Sequence, residues 1–170
     1  MSSDHIRKEA GRLVAGYGTR NPFHIAGGLG IHVLLNYDFK SLKGMYKVIQ
    51  RSRFIFINGN LSERDQRTIC AHELGHDRLH MQVAKMTAFQ EFMLYDMRTR
   101  PENEANIFAS ELLIGDDDIL PLIDREFDIY QIAGELGEDM NLVLIKIDEL
   151  RKRGYDVRAP YRPSSDFLKG

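Results

Sequence analysis

The chain has 170 residues, 43% of them apolar and 28% charged, with a formal net charge of −2 and one cysteine. Such a chain suits a single domain burying roughly 70% of its unfolded surface. Its charge gives no basic footprint for nucleic acid, its apolar runs are too short to cross a bilayer, and a lone cysteine excludes an internal disulfide.

The start, Met1-Ser2-Ser3-Asp4, lacks an apolar signal core, so a cytoplasmic protein with a reduced thiol is expected. Residues 4–15 and 22–29 read as helices, with Gly16, Gly18 and Pro22 marking the break between them. Residues 31–35 read as a strand. Residues 45–50 and 53–58, rich in Ile, Val, Phe and Tyr, read as a hairpin. Ser62, followed by Glu63 and Asp65, is a helix-start signature, because a side-chain acceptor precedes acids that suit the positive helix end. No proline interrupts that helix before about Gln82.

Residues 83–98 show no clear pattern, and their Met and Phe side chains are read as core or cleft lining. The next helix opens at Thr99-Arg100-Pro101, with proline in the first turn, and runs to about Ile114. Asp116-Asp117-Asp118 is read as the cap of a short helix to about Ile123. Two further helices are predicted at 129–136 and 140–153. Arg151-Lys152-Arg153, with Arg158 and Arg162 beyond, is read as a solvated helix end and tail. The pair at 129–153 also has the outline of a helix-turn-helix, but its second helix is acidic and apolar where a DNA reader would be basic. A packing element is expected instead. The fold class predicted is α+β: a small twisted sheet packed on the helix from residue 62, a mostly helical C-terminal half, one domain over 1–170, and a tail from about residue 155.

The chemistry is concentrated in His72-Glu73-Leu74-Gly75-His76. Residues four apart on a helix lie one above the other, about 5–6 Å apart at Cβ. Two imidazoles so placed can close on one Zn²⁺ at about 2.0–2.1 Å per nitrogen. Glu73, beside the first of them, is placed to take a proton from water at such a metal. Gly75 weakens a helix by about 1 kcal/mol relative to Ala, which suggests close approach of another backbone or of a substrate. Cys70 reads as a buried small hydrophobe, and His24 and His32 as structural.

A catalytic zinc needs a third protein ligand. A metzincin would place Gly at 79 and His at 82, but Leu79 and Gln82 stand there, so that arrangement is rejected. His80, one more turn along the same helix, is expected to line the cleft or solvate the helix end. The better source is the helix from Pro101, where Glu102, Ala105, Asn106, Ala109 and Leu113 share a face. Its alanines permit close approach to the histidines, bringing Glu102 toward the metal. Asn106 could then hold the tautomer of a ligating imidazole. Glu104 shares its face with Phe108 and Glu111 and reads as a core edge meeting solvent. Two alternatives stay open: Glu102 as a capping-box acid with Thr99, and Glu104 as the ligand.

The string from His72 to His80, followed by Glu102-Asn-Glu-Ala-Asn-Ile-Phe-Ala-Ser-Glu-Leu-Leu-Ile114, resembles the ImmA/IrrE family of metallopeptidases. The resemblance extends to Asn21-Pro22-Phe23-His24-Ile25-Ala26 and to Phe54-Ile-Phe-Ile-Asn58. It implies His72 and His76 as ligands, Glu73 as base, and Glu102, the first Glu of Glu-x-x-Ala, as third ligand. Relatives often end that helix in Met-Pro, whereas Ile114-Gly115 stands here, which affects the pocket rim. The family implies a small zinc-peptidase domain that cleaves, or acts on, helix-turn-helix repressors of phages and mobile elements.

The expectation is therefore a zinc endopeptidase, with manganese as the other metal considered, that cuts a specific repressor and touches neither DNA nor membrane. An edge strand within 45–58 would align an extended substrate by backbone pairing. The competing expectation is a metal-stabilised antirepressor that sequesters its partner without cutting it; an intact Glu73 favours the enzyme.

Overall fold

The computed structural model describes residues 1–87 and 100–157. Most of the 83–98 stretch, Thr99, and the tail from 158 onward with Arg158 and Arg162 lie outside the described residues. The elements run α1 (Ser3–Tyr17), α2 (Pro22–Gly28), β1 (Ile31–Asn36), β2 (Gly44–Ile49), β3 (Ser52–Asn58), α3 (Glu63–Thr87), α4 (Arg100–Leu113), α5 (Asp116–Asp124), α6 (Ile129–Leu136) and α7 (Met140–Lys152). The α+β class read from the sequence is what the chain adopts.

Helix α1 starts where the Ser2 hydroxyl accepts from the His5 N–H and stops at Gly18, whose φ of 65° only glycine takes cheaply. Its buried residues, Ile6, Ala10 and Leu13, recur at helical spacing and face α4. Helix α2 is capped by the Asn21 side chain, with Pro22 opening the helix.

The sheet has the order β1-β3-β2: β1 is parallel to β3, and β2 is antiparallel to it. The two-residue turn between β2 and β3, Gln50-Arg51, has positive φ at both residues (47° and 69°). That is the backbone twist a tight hairpin requires, made without the usual Asn-Gly. Ile55 and Ile57 of β3 are fully buried, so one sheet face packs on α3, while Leu34 on β1 and Ile49 on β2 are exposed. β2 is an edge strand and lies directly against α3.

Helix α3 is the central element, wedged between the sheet and α4. It runs to Thr87, beyond the predicted end near Gln82, but is bent at His80, whose φ and ψ of −127° and 17° leave the helical region. The straight helix assumed from the sequence is thus broken at that histidine. At Gly75 α4 comes close: a Cβ there would lie 3.1 Å from Ala105 Cα and 3.2 Å from Phe108 Cδ1. Among the described residues the buried apolar side chains form one cluster, which includes Leu74, Phe108, Leu112, Leu142 and Leu150.

Two local readings change. The cap of α5 is Gly115, with no side-chain hydrogen bond, because the three aspartates sit inside the first turn rather than before it. Arg153 is not a solvated end: it pairs with Asp116 at 2.6 Å, and Asp116 also meets the buried Lys146 at 2.7 Å. Lys146 in turn pairs with Glu111 at 2.5 Å, tying α7 to α4. The second helix of the helix-turn-helix outline, α7, buries Leu142, Val143, Leu144, Lys146, Ile147 and Leu150, so it packs inside the protein as expected of a packing element.

Candidate metal centre

Residues 72, 73 and 76 lie on the stretch of α3 enclosed by α4 and β2, and His72 and Glu73 are buried. Because α3 and α4 meet at glycine and alanine, the two helices come close enough for short side chains to reach across. His72 Nε2 lies 3.1 Å from His76 Nε2 and 3.2 Å from Glu102 Oε2, and His76 Nε2 lies 3.3 Å from Glu102 Oε1. Donors held about 2.0–2.1 Å from a tetrahedral zinc stand roughly 3.3 Å from one another. The three measured separations have that spacing, and the two imidazoles and a carboxylate are donors zinc accepts. The residues present fit a metal ion.

The charges around this triangle are balanced inward. Burial alone would raise the Glu102 carboxyl, but hydrogen bonds to His72 and His76 and their charge outweigh it and hold it well below the carboxylate range. Burial would lower the His76 imidazole, yet the Glu102 hydrogen bond and the charges of Glu73 and Glu102 hold it above its usual value. His72 is held from its other nitrogen, with Nδ1 2.8 Å from Asn106 Oδ1, one turn along α4 from Glu102.

Glu73 points to the β2 side of α3. Burial raises its carboxyl above the ordinary range, opposed by the charges of His72 and His76 and by a hydrogen bond from the Tyr46 backbone N–H. Gly44 explains how β2 passes so near. A Cβ at that position would lie 2.3 Å from Ile69 Cγ2 and 3.3 Å from Glu73 Oε1. Cys70, one turn before Glu73 on α3, is fully buried and its thiol is pushed up by burial and by the Glu73 charge, as suits a packing residue rather than a nucleophile.

Glu104 does not join the triangle, and it is not the solvent edge expected from the sequence. It is 6% exposed and accepts from Arg100 Nε at 2.8 Å, from the Met1 ammonium and from His80, whose Nε2 lies 2.9 Å away. Burial would raise its carboxyl, but these hydrogen bonds bring it down to about 2. His80 closes the row of histidines, its Nδ1 3.3 Å from His76 Nδ1.

Four further residues around the site went unread in the sequence: Gly44, Tyr46, Arg53 and Asp77. Asp77 follows His76 and is wholly buried, accepting from the Tyr46 hydroxyl at 2.7 Å and from Arg53 at 3.1 Å. Tyr46 belongs to β2 and Arg53 to β3, so this carboxylate pins both strands to α3. The Tyr46 hydroxyl is raised by burial and by its bond to Asp77. The available signal was an acid in mid-helix on the side away from solvent; its partners lie 24 and 31 residues away and no spacing rule reaches them.

A family profile described as the IrrE N-terminal-like domain matches residues 26–148. The chain is 33% identical over 147 residues to immunity region protein 2 of Bacillus phage phi105, covering 86% of this chain and 92% of that protein. It is 27% identical over 135 residues to metallopeptidase ImmA of Bacillus subtilis (strain 168), covering 78% of each. The family profile and these two relatives place the chain in the ImmA/IrrE family.

Proposed function

We propose that this protein is a metal-dependent endopeptidase acting on one or a few partners, with a helix-turn-helix transcriptional repressor as substrate. The observation that carries the reading is the cluster of His72, His76 and Glu102, in which the two Nε2 atoms lie 3.1 Å apart and each stands 3.2 or 3.3 Å from one of the two Glu102 oxygens, beside a buried glutamate that is not part of it. Zinc is the metal proposed, with manganese able to use the same donors.

A metal held there supplies Lewis acidity, polarising the scissile carbonyl and acidifying water. Glu73 takes the proton of the attacking water and delivers it to the leaving amine. A carboxyl raised by burial above its ordinary value is a stronger proton acceptor than a solvated one, which suits that traffic. Asn106 holds the His72 ring from behind. β2, the edge strand lying against α3, offers backbone groups to an extended substrate segment. Tyr46 and Asp77 keep that strand in place.

The substrate rests on the relatives, one named for a phage immunity region and the other as a metallopeptidase. The cytoplasm, where a repressor works, is the location this reading requires. A sequestering antirepressor that does not cut has no use for Glu73: a carboxylate 8% exposed carries a desolvation cost that binding alone would not repay. The test is to incubate the zinc-loaded protein with a candidate helix-turn-helix repressor and read fragment masses. Discrete fragments with wild type and none with Glu73→Gln support the enzyme. An intact repressor that still co-purifies with both would establish the antirepressor.

A further inference from the structure

The second nitrogen of each metal-facing histidine has a partner, and the two partners differ. His72 Nδ1 meets an amide oxygen, that of Asn106, at 2.8 Å. His76 Nδ1 meets another imidazole, His80 Nδ1, at 3.3 Å. His80 Nε2 then lies 2.9 Å from Glu104 Oε2. The order of these four groups across α3 and α4 is His76, His80, Glu104, with Arg100 Nε on the other Glu104 oxygen at 2.8 Å.

Proton accounting leaves one arrangement compatible with a metal at His76. If Nε2 offers its lone pair to the metal, the ring proton must sit on Nδ1, where it needs an acceptor. His80 Nδ1 faces it and must therefore present a lone pair, which places the His80 proton on Nε2. That N–H points at the Glu104 carboxylate, which accepts it. The opposite polarity, with His80 donating from Nδ1, would force the His76 proton onto Nε2, into the space between His72 and Glu102. The backbone supports the arrangement: α3 leaves helical geometry at His80 itself, the residue that reaches α4.

We infer that His80 and Glu104 form a positioning relay that selects the metal-binding tautomer of His76, as Asn106 does for His72. This rests on the proposed metal site and assigns Glu104, buried yet two residues past the ligand Glu102, a job at that site. Both residues act through the His76 ring. A bare ion pair fastening α3 to α4 would be the merely structural alternative, and it would be indifferent to which nitrogen of His76 carries the proton.

The experiment uses the full chain, ¹⁵N-labelled, with zinc titrated into apo protein. Wild type should show slowly exchanging imidazole N–H signals at His76 Nδ1 and His80 Nε2 when loaded. His80→Phe keeps the ring shape but cannot accept; the His76 Nδ1–H signal should then exchange rapidly and zinc affinity should fall roughly 10-fold, the scale of lost outer partners. Glu104→Leu serves as a second variant should the first fail to fold: it frees the His80 tautomer, giving mixed His80 signals and a several-fold affinity loss. His72→Ala, which should abolish stoichiometric zinc, reports on the metal site itself. Loss of zinc in His72→Ala, with affinity and His76 signal unchanged in His80→Phe or Glu104→Leu, would overturn the relay and leave the site standing. Stoichiometric zinc surviving in His72→Ala would overturn both.

Discussion

Gly75 on α3 rests against Ala105 on α4, so closely that a Cβ at 75 would stand 3.1 Å from Ala105 Cα and 3.3 Å from its carbonyl oxygen. This contact sets the distance between the helix bearing the histidines and the helix bearing Glu102. Gly75→Ala gains about 1 kcal/mol of helix propensity and loses a comparable amount to the squeeze, so it should be tolerated. Gly75→Val should cost about 2–3 kcal/mol by overpacking and weaken metal binding, because the donor triangle opens. A thermal melt and a zinc titration on the two variants check this; equal zinc affinity in Gly75→Val would show that the helix spacing does not matter.

The two neighbouring acids of α4 should separate cleanly. Glu102→Ala removes a donor from a three-donor site and should eliminate stoichiometric zinc. Glu104→Ala should keep one zinc per chain at reduced affinity, since its carboxylate reaches His80 and Arg100 instead. Metal analysis after dialysis reads the difference, and the opposite pattern would transfer the ligand role to Glu104.

Glu73→Gln preserves shape and leaves all three donors in place but cannot take a proton. It should bind zinc as wild type does and cleave at least roughly 100-fold more slowly, the lower range for a lost general base. Undiminished cleavage would remove Glu73 from the reaction.

Gly44→Val tests the strand beside Glu73. Its side chain would collide with Ile69 and crowd Glu73, so β2 must shift while the donors on α3 and α4 stay. The expected result is unchanged zinc stoichiometry with a fall in kcat/KM of about 10-fold or more, as misplacement near a reacting group produces. A variant that loses zinc and activity together would mean that the whole fold had moved.

Acid sensitivity should centre partly on Asp116. Its hydrogen bond to Arg153 leads, burial opposes, and Lys146 adds to hold its carboxyl below the ordinary range. A folded value below the unfolded one gives stability that is complete above about pH 4 and is lost as pH falls through the folded value. Asp116→Asn should therefore lower Tm at pH 7, with the gap to wild type narrowing below about pH 4. A gap that stays constant down to pH 3 would show that the pairing contributes nothing pH-dependent.

Much of this molecule was legible along the chain because the relevant interactions are local. His72 and His76 share a face by helical geometry alone, Ser62 with Glu63 and Asp65 marked the start of α3, and the Ile, Val, Phe and Tyr content of 45–58 drew the hairpin. The second half of the site was legible only as a choice. Glu102 and Glu104, two residues apart on α4, are both buried and both reach histidines of α3. What separates them is the Gly75–Ala105 contact, which turns one carboxylate toward His72 and the other toward His80. Asp77 is a similar case: its partners come from two strands, and only the docking of the sheet on α3 made a buried, paired carboxylate of it. The bend at His80 was likewise invisible, because no glycine or proline marks it. Sequence periodicity determined which side chains lie together on one element; the packing of α3 against α4 and β2 decided which elements face each other, since that depends on shape complementarity between residues far apart in the chain.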